Sequence, residues 1–338
     1  MKNEEKWSRR LARWFAENAK EYPWRTDPTP YHVWLSEIML QQTRLETVRP
    51  FYTRFIEALP SIPALAAASE EQVLKLWEGL GYYSRARNLH KAAKLIVRDH
   101  GGEMPASYEA VRALPGIGDY TAGAICAQAF GLPTPAVDGN VLRVVSRLFE
   151  LTDDVLSPAA RKKVTELVRA DYPADMPSAF TQGLMELGET LCLPGEPACP
   201  SCPLADLCLA HRHGREGELP VRINKTAKKE EVRVLLLMER DGKLLLHKRP
   251  KKGVLAGLWE LPEASLAAAV FGLPEDALRG EKLGEYRHVF THLIWNIEVY
   301  RADAPADFSF SDDWLWADTA DVMLPTAFTK AVQLKKNA

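Results

Sequence analysis

Four cysteines fall within seventeen residues, spaced Cys192-x6-Cys199-x2-Cys202-x5-Cys208, with Pro200 and Pro203 stiffening the loop. Thiols crowded into one short segment suit a metal better than a disulfide framework, which in secreted chains is spread along the sequence. Zinc ribbons use two Cys-x-x-Cys knuckles separated by a longer insert. Only one such pair is present here, so the spacing fits a 4Fe-4S cluster better than structural zinc. The fifth cysteine, Cys126, reads as core.

Two carboxyls invite acid-base chemistry. Glu37 shares a helix face with Trp34, Ile38 and Gln41, amid Val33, Leu40 and Leu45. Burial there disfavours its charged form and makes it a candidate general acid, although a Glu that merely packs its methylenes and reaches water would leave the same trace. Asp138, in Ala136-Val-Asp-Gly-Asn-Val141, precedes the amphipathic run to Phe149 and reads as a helix N-cap. Held at a helix start it is expected to stay ionised with a low pKa, while that of Glu37 is raised. Carboxyls in opposed environments suit cleavage of a bond at an anomeric carbon.

Leu114-Pro-Gly-Ile-Gly-Asp-Tyr-Thr-Ala-Gly123 lies between a helical stretch ending near Ala113 and a helix-like run from Ala122 to Phe130. Such a hairpin would turn the backbone N–H groups of Gly116 and Gly118 outward and add a helix N-terminus, so a phosphate could dock without a basic side chain. An ordinary Gly-Pro connection is the simpler alternative. In Gly81 to Lys94, Arg87, Lys91 and Lys94 fall on neighbouring helical turns beside Tyr82 and Tyr83, a pattern for phosphate contacts with a stacking ring or for a solvated face over core tyrosines.

The elements that must position these groups follow from texture. At 338 residues and 46% hydrophobic content the chain is expected to form two or three domains. Apolar residues recur at helical spacing to about residue 215. From about 230, Val-Arg-Val-Leu-Leu-Leu-Met, an Asp241-Gly242 turn and Lys-Leu-Leu-Leu-His-Lys-Arg read as two strands in a hairpin. The expected organisation is an all-α region over 1–215, a polar connector over 216–230 and an α+β domain over 231–338. No apolar stretch is long enough to span a bilayer and Met1 to Arg10 is charged throughout, so a cytoplasmic, non-membrane protein is expected. A net charge of −2 means that any nucleic-acid contact must rely on local charge.

Together, Pro23-Trp-Arg25, Trp34 to Thr43, Gly79 to Asn88, the Leu114–Gly123 hairpin, Val137-Asp-Gly-Asn-Val141, Met185-Glu-Leu-Gly188 and the cysteine array resemble the MutY family of adenine DNA glycosylases, within the endonuclease-III-like helix-hairpin-helix superfamily. The resemblance runs through nearly the whole chain. It implies a helix-hairpin-helix lobe over about 24–131, an iron-sulfur lobe built from the N-terminal helix plus 132–215, and a Nudix-like recognition domain. The implied enzyme acts on duplex DNA holding adenine mispaired with 8-oxoguanine, and on guanine mispairs too, flipping adenine from the stack; a monomer is the default expectation, since one enzyme acts on one lesion. Glu37 would protonate adenine N7 and Asp138 would stabilise the oxocarbenium ion, electrostatically or as a covalent adduct. Tyr120 and Asn140 would support them, Arg25 and Glu186 would line the adenine pocket, and Gln42 and Tyr82 would fill or wedge the vacated stack.

Strand-cutting relatives carry a hairpin lysine that forms a Schiff base. No Lys lies between Leu114 and Phe130, so the resemblance implies a monofunctional glycosylase rather than an endonuclease-III-like lyase. Retention of both Glu37 and Asp138 argues against a non-catalytic DNA-binding scaffold. Phe290-Thr-His292 resembles the family's 8-oxoguanine-reading loop, with Thr291 where Ser is common, although it could also be plain strand alternation. Gly257-Leu-Trp-Glu-Leu-Pro262 echoes the start of the Nudix motif, but Ala264 to Phe271 lacks the carboxylates that would hold Mg²⁺, so hydrolase activity is not expected.

Overall fold

The computed structural model describes residues 6–223, 228–305 and 311–335. The chain divides into two units, 1–68 with 87–225, and 69–86 with 226–338. Among the described residues no helix is long and apolar enough to cross a membrane.

The first unit is helical. Its N-terminal helix, Trp7–Asn18, packs on Pro177–Thr190, which in turn packs on Gly139–Leu148 and Asp119–Phe130. Leu11 and Ala12 thereby join Val141, Leu142, Val145, Phe180 and Leu184 in one core, against which Cys192, Cys202 and Cys208 pack. The Pro30–Leu40 helix starts where Thr29 accepts a hydrogen bond from the His32 N–H at 3.2 Å and Pro30 fills the first turn, where a missing N–H costs nothing.

Trp34, Ile38, Gln41, Leu45 and Val48 recur at helical spacing, but the chain breaks at Gln41 and restarts as Leu45–Ala58. Gln42 takes a left-handed φ of 60°, which ends the first helix. The helix after the hairpin begins at Asp119, three residues before the apolar run, because Gly118 caps it while Asp119 and Tyr120 are polar at their tips. In the 216–230 segment, residues 216–223 are held rather than free. Val155 N–H donates to Val221 O at 3.0 Å and Arg147 Nε to Leu219 O at 2.9 Å. Residues 224–227 lie outside the described part.

Among its described residues the second unit has seven strands, β1 (Lys229–Leu237), β2 (Glu239–Arg240), β3 (Lys243–Lys248), β4 (Trp259–Glu260), β5 (Lys282–Val289), β6 (Leu293–Arg301) and β7 (Trp314–Ala317). One sheet runs β1-β6-β5. The other runs β2-β3-β4, with β7 also on β3. The Asp241-Gly242 turn forms with φ of 51° and 76°, the two left-handed residues that a tight hairpin needs. The expected two-strand hairpin is nevertheless only partly formed. Just β2 pairs with β3, while β1 pairs in parallel with β6 in the other sheet. The leucine runs explain the split. Leu235, Leu237, Leu244 and Leu246 face one core and Leu236, Met238 and Leu245 another, so these segments are buried on both faces and show no polar side.

Candidate active site

The Pro30–Leu40 helix leaves Glu37 no solvent face, since Tyr31 and Val33 to Met39 are all buried and Glu37 itself is 5% exposed. Its two oxygens are both occupied. Tyr120 Oη donates to Oε2 at 2.9 Å and Gln128 Nε2 to Oε1 at 2.7 Å, each from the Asp119–Phe130 helix. Burial pushes the Glu37 carboxyl above the ordinary carboxylate range, and the two donors only partly offset it. Reaching water is therefore not what this side chain does.

Asp138 caps the Gly139–Leu148 helix, with Oδ1 accepting from Val141 N–H at 2.8 Å and Oδ2 from Asn140 Nδ2 at 3.1 Å. The cap is as expected, but the low pKa is not. Burial raises the Asp138 carboxyl, and the Val141 and Asn140 bonds and the Arg143 charge pull against that without reversing it. The two carboxyls are thus shifted in the same direction, with desolvation as the leading cause of each. Sequence spacing could indicate the cap, but not how deeply the segment before it is covered.

Arg25, Glu37, Gln42, Tyr120, Asp138, Asn140 and Glu186 all line one cavity of about 340 Å³. Arg25 reaches Glu186 at 2.6 Å and Gln182 at 3.0 Å. No lysine is among the residues lining this cavity. Tyr120 also borders a larger cleft of about 950 Å³, whose cations Arg161, Lys162 and Arg169 are matched by Glu109, Asp119 and Glu166.

Gly116 and Gly118 sit in the hairpin as expected, the first at φ 79° and the second capping the next helix. Tyr82, Thr291, Phe290 and His292 fall in the second unit, where Tyr82 Oη and Thr291 Oγ1 are 2.5 Å apart. Gln42 and Tyr82 share a feature that their sequence does not announce, a left-handed φ in a residue other than glycine. Strain of this kind, roughly 1–3 kcal/mol each, persists where the surroundings fix it and is concentrated at functional sites.

Sequence reasoning missed Gln128, Gln182, Glu189 and Arg143. Gln128 was detectable as the one amide in the small apolar run Ala122 to Phe130, and Arg143 as a charge inside Val-Leu-Arg-Val-Val. Arg143 links the two chemical regions. Its guanidinium donates to Asn140 Oδ1 at 2.8 Å, to Gly188 O at 2.7 Å and to Cys192 O at 2.7 Å.

The four cysteines carry free thiols, each partly exposed. Cys192, Cys199 and Cys208 all act electrostatically on Cys202, so the fold brings the sulfurs into one neighbourhood. Donors already point at sulfur, with Arg147 Nη1 3.3 Å from Cys192 Sγ and Leu204 N–H 3.4 Å from Cys202 Sγ. This donor set fits a thiolate-ligated centre.

Residues 35–170 match the model of the HhH-GPD superfamily of base excision DNA repair proteins, and residues 233–334 match a NUDIX domain. Among solved structures, a thermostable thymine-DNA glycosylase aligns with a TM-score of 0.56 at 26% identity, covering 61% of this chain and 95% of that one. A trapped endonuclease III–DNA covalent intermediate aligns at 0.52 and 26%, over 61% and 94%. The fold and cavity are thus those of a helix-hairpin-helix base excision repair enzyme carrying a Nudix-like domain. The adenine DNA glycosylase of Mus musculus is 33% identical over 96% of this chain and 76% of its own length, and that of Buchnera aphidicola subsp. Baizongia pistaciae is 31% identical over 94% and 93%. The chain belongs to the adenine DNA glycosylase family and is a DNA glycosylase that initiates base excision repair.

Proposed function

We propose that this enzyme hydrolyses the N-glycosidic bond of adenine mispaired with 8-oxoguanine, and with guanine, in duplex DNA, leaving an abasic site. The observation that carries this reading is the buried Glu37, fixed by Tyr120 and Gln128 in the same cavity as Asp138. Glu37, holding a proton, delivers it to N7 of the extruded adenine and makes the base a leaving group. Asp138, braced by Asn140, stabilises the positive charge that grows on the sugar. Arg25 and Glu186 shape the base pocket. Gln42 and Tyr82 occupy the stack, Gly116 and Gly118 meet a phosphate through backbone N–H groups, and Phe290, Thr291 and His292 read the opposite base. The enzyme acts as a monomer in the cytoplasm.

In this reading Cys192, Cys199, Cys202 and Cys208 hold a 4Fe-4S cluster. Bound there, the cluster would tie the loop to the helical core and supply a one-electron couple. Tyr120 stands where a strand-cutting relative would place its lysine, which favours hydrolysis without strand scission.

Incubation with a labelled duplex carrying adenine opposite 8-oxoguanine, developed with and without hot alkali, tests the reading. Breakage only after alkali is expected. Breakage without alkali would mean a lyase, and none under either condition would leave a DNA-binding scaffold.

A further inference from the structure

The Trp259-Glu260 pair belongs to the sequence that echoes a Nudix motif yet lacks the carboxylates for hydrolysis, and the proposed reaction gives it no task. Its surroundings do. Glu260 is 4% exposed on β4, where His247 Nδ1 lies 3.0 Å from its Oε1 and Arg249 pairs with its Oε2. Arg249 is held further by donating from Nε to Val254 O at 2.9 Å. The same guanidinium lies 5.3 Å from the ring centroid of Trp295, and that of Arg233, paired with Glu263 at 2.5 Å, lies 4.9 Å from it. Trp295 is 1% exposed on β6. Its ring meets Phe290 edge-on, with centroids 4.8 Å apart and planes at 74°.

Phe290 opens the turn between β5 and β6. That turn is closed by Phe290 N–H donating to Leu293 O at 2.8 Å, and Lys229 N–H donates to His292 O at 3.2 Å. Backbone bonds fix the path of the turn but leave the Phe290 ring free to rotate. His288, with ring centroids 4.6 Å from Phe290, and Trp295 limit that freedom from two sides, and two cations against the Trp295 ring in turn fix Trp295.

We propose that Glu260, Arg249 and Trp295 form a positioning relay that orients the Phe290–Thr291–His292 loop and so sets discrimination for the base opposite the excised adenine. The relay rests on the proposed reading role of that loop. It gives the motif remnant a use that needs neither metal nor nucleotide.

The test uses the full-length holoenzyme with Trp295→Phe and Glu260→Gln. Single-turnover rates and Kd are measured on duplexes with adenine opposite 8-oxoguanine and opposite guanine, and near-UV circular dichroism confirms folding. The preference for 8-oxoguanine should fall roughly tenfold in both variants while the rate at the guanine mispair holds, with Arg249→Lys intermediate. Equal losses on both duplexes would reduce the relay to general stability and overturn it. Thr291→Ala separates the two ideas. If it collapses the preference while Trp295→Phe and Glu260→Gln leave it intact, the relay fails and the loop's role stands. If all three leave it intact, the reading role itself fails.

Discussion

The proposed acid role, which needs a proton held near neutrality, and the stability of the fold make opposite demands on Glu37. The raised Glu37 carboxyl favours the fold fully below its unfolded value of about 4.3 and loses that contribution as pH rises through the folded value. Glu37→Gln removes the cost of holding a carboxyl in this buried site at neutral pH, where it must take up a proton to avoid a desolvated charge, and keeps partners for Tyr120 and Gln128. At neutral pH the variant should therefore melt above the parent, with the gap closing in acid, while base release falls by at least about 10²-fold and duplex binding holds. Calorimetry across pH and single-turnover assays check both halves. A lost binding signal would sink the assignment of Glu37 as the acid. The pH profile carries a second prediction. The protonated form of Glu37 is lost as pH rises through its raised value, and the ionised form of Asp138 is lost as pH falls through its own raised value. The acid limb should lie above the ordinary carboxylate range, giving a narrower bell than oppositely shifted groups would produce. An acid limb at the usual Asp value would contradict the burial of Asp138.

The hairpin makes its two glycines separable. A Cβ on Gly116, at φ 79°, would lie 2.7 Å from Asn88 Cβ, whereas one on Gly118 would meet nothing within 4 Å. Gly116→Ala should cost about 1–3 kcal/mol of stability. Gly118→Ala should change stability by no more than about 1 kcal/mol, as a cap substitution does. If this turn holds a phosphate, Gly118→Ala should still weaken duplex binding about fivefold, equivalent to about 1 kcal/mol. Unchanged Kd with unchanged melting would remove the phosphate contact. The turn itself was legible, because Leu-Pro-Gly-Ile-Gly leaves few other backbone paths. The helix start was not, because Asp119 and Tyr120 hide it from an apolar pattern. The same blindness affected β1. Alternation reveals a strand with one wet face, and Leu235 to Leu237, buried on both, gave no sign that the partner would be β6 rather than β3. Glu37 was readable for the converse reason, as one carboxylate in an otherwise apolar helix. Asp138 was misjudged because its cap is local and its burial is not.

Across the chain, the change of texture near residue 230 marked where helices give way to strands. The grouping of 69–86 with 226–338 had no sequence signature, because it depends on contacts far apart in the chain, such as Glu78 accepting from Leu324 N–H at 3.2 Å. Charge gives the last prediction. A net charge of −2 gives the chain no overall cationic excess with which to neutralise a duplex, and each phosphate neutralised by Lys or Arg adds about −0.9 to the slope of log K against log salt. In the proposed reading the hairpin meets phosphate through backbone N–H groups, which add no cation of their own to that count. The slope should therefore be shallow, about −3 to −5, corresponding to a few Lys or Arg contacts. Exposed Lys91 and Lys94 on the Ser84–His100 helix are the expected contributors. Replacing both with Gln should make the slope shallower by about 2 and weaken binding at low salt, with base release at saturating enzyme unchanged. A slope that stays the same in the double variant would place that helix face in solvent and move the cationic contacts elsewhere.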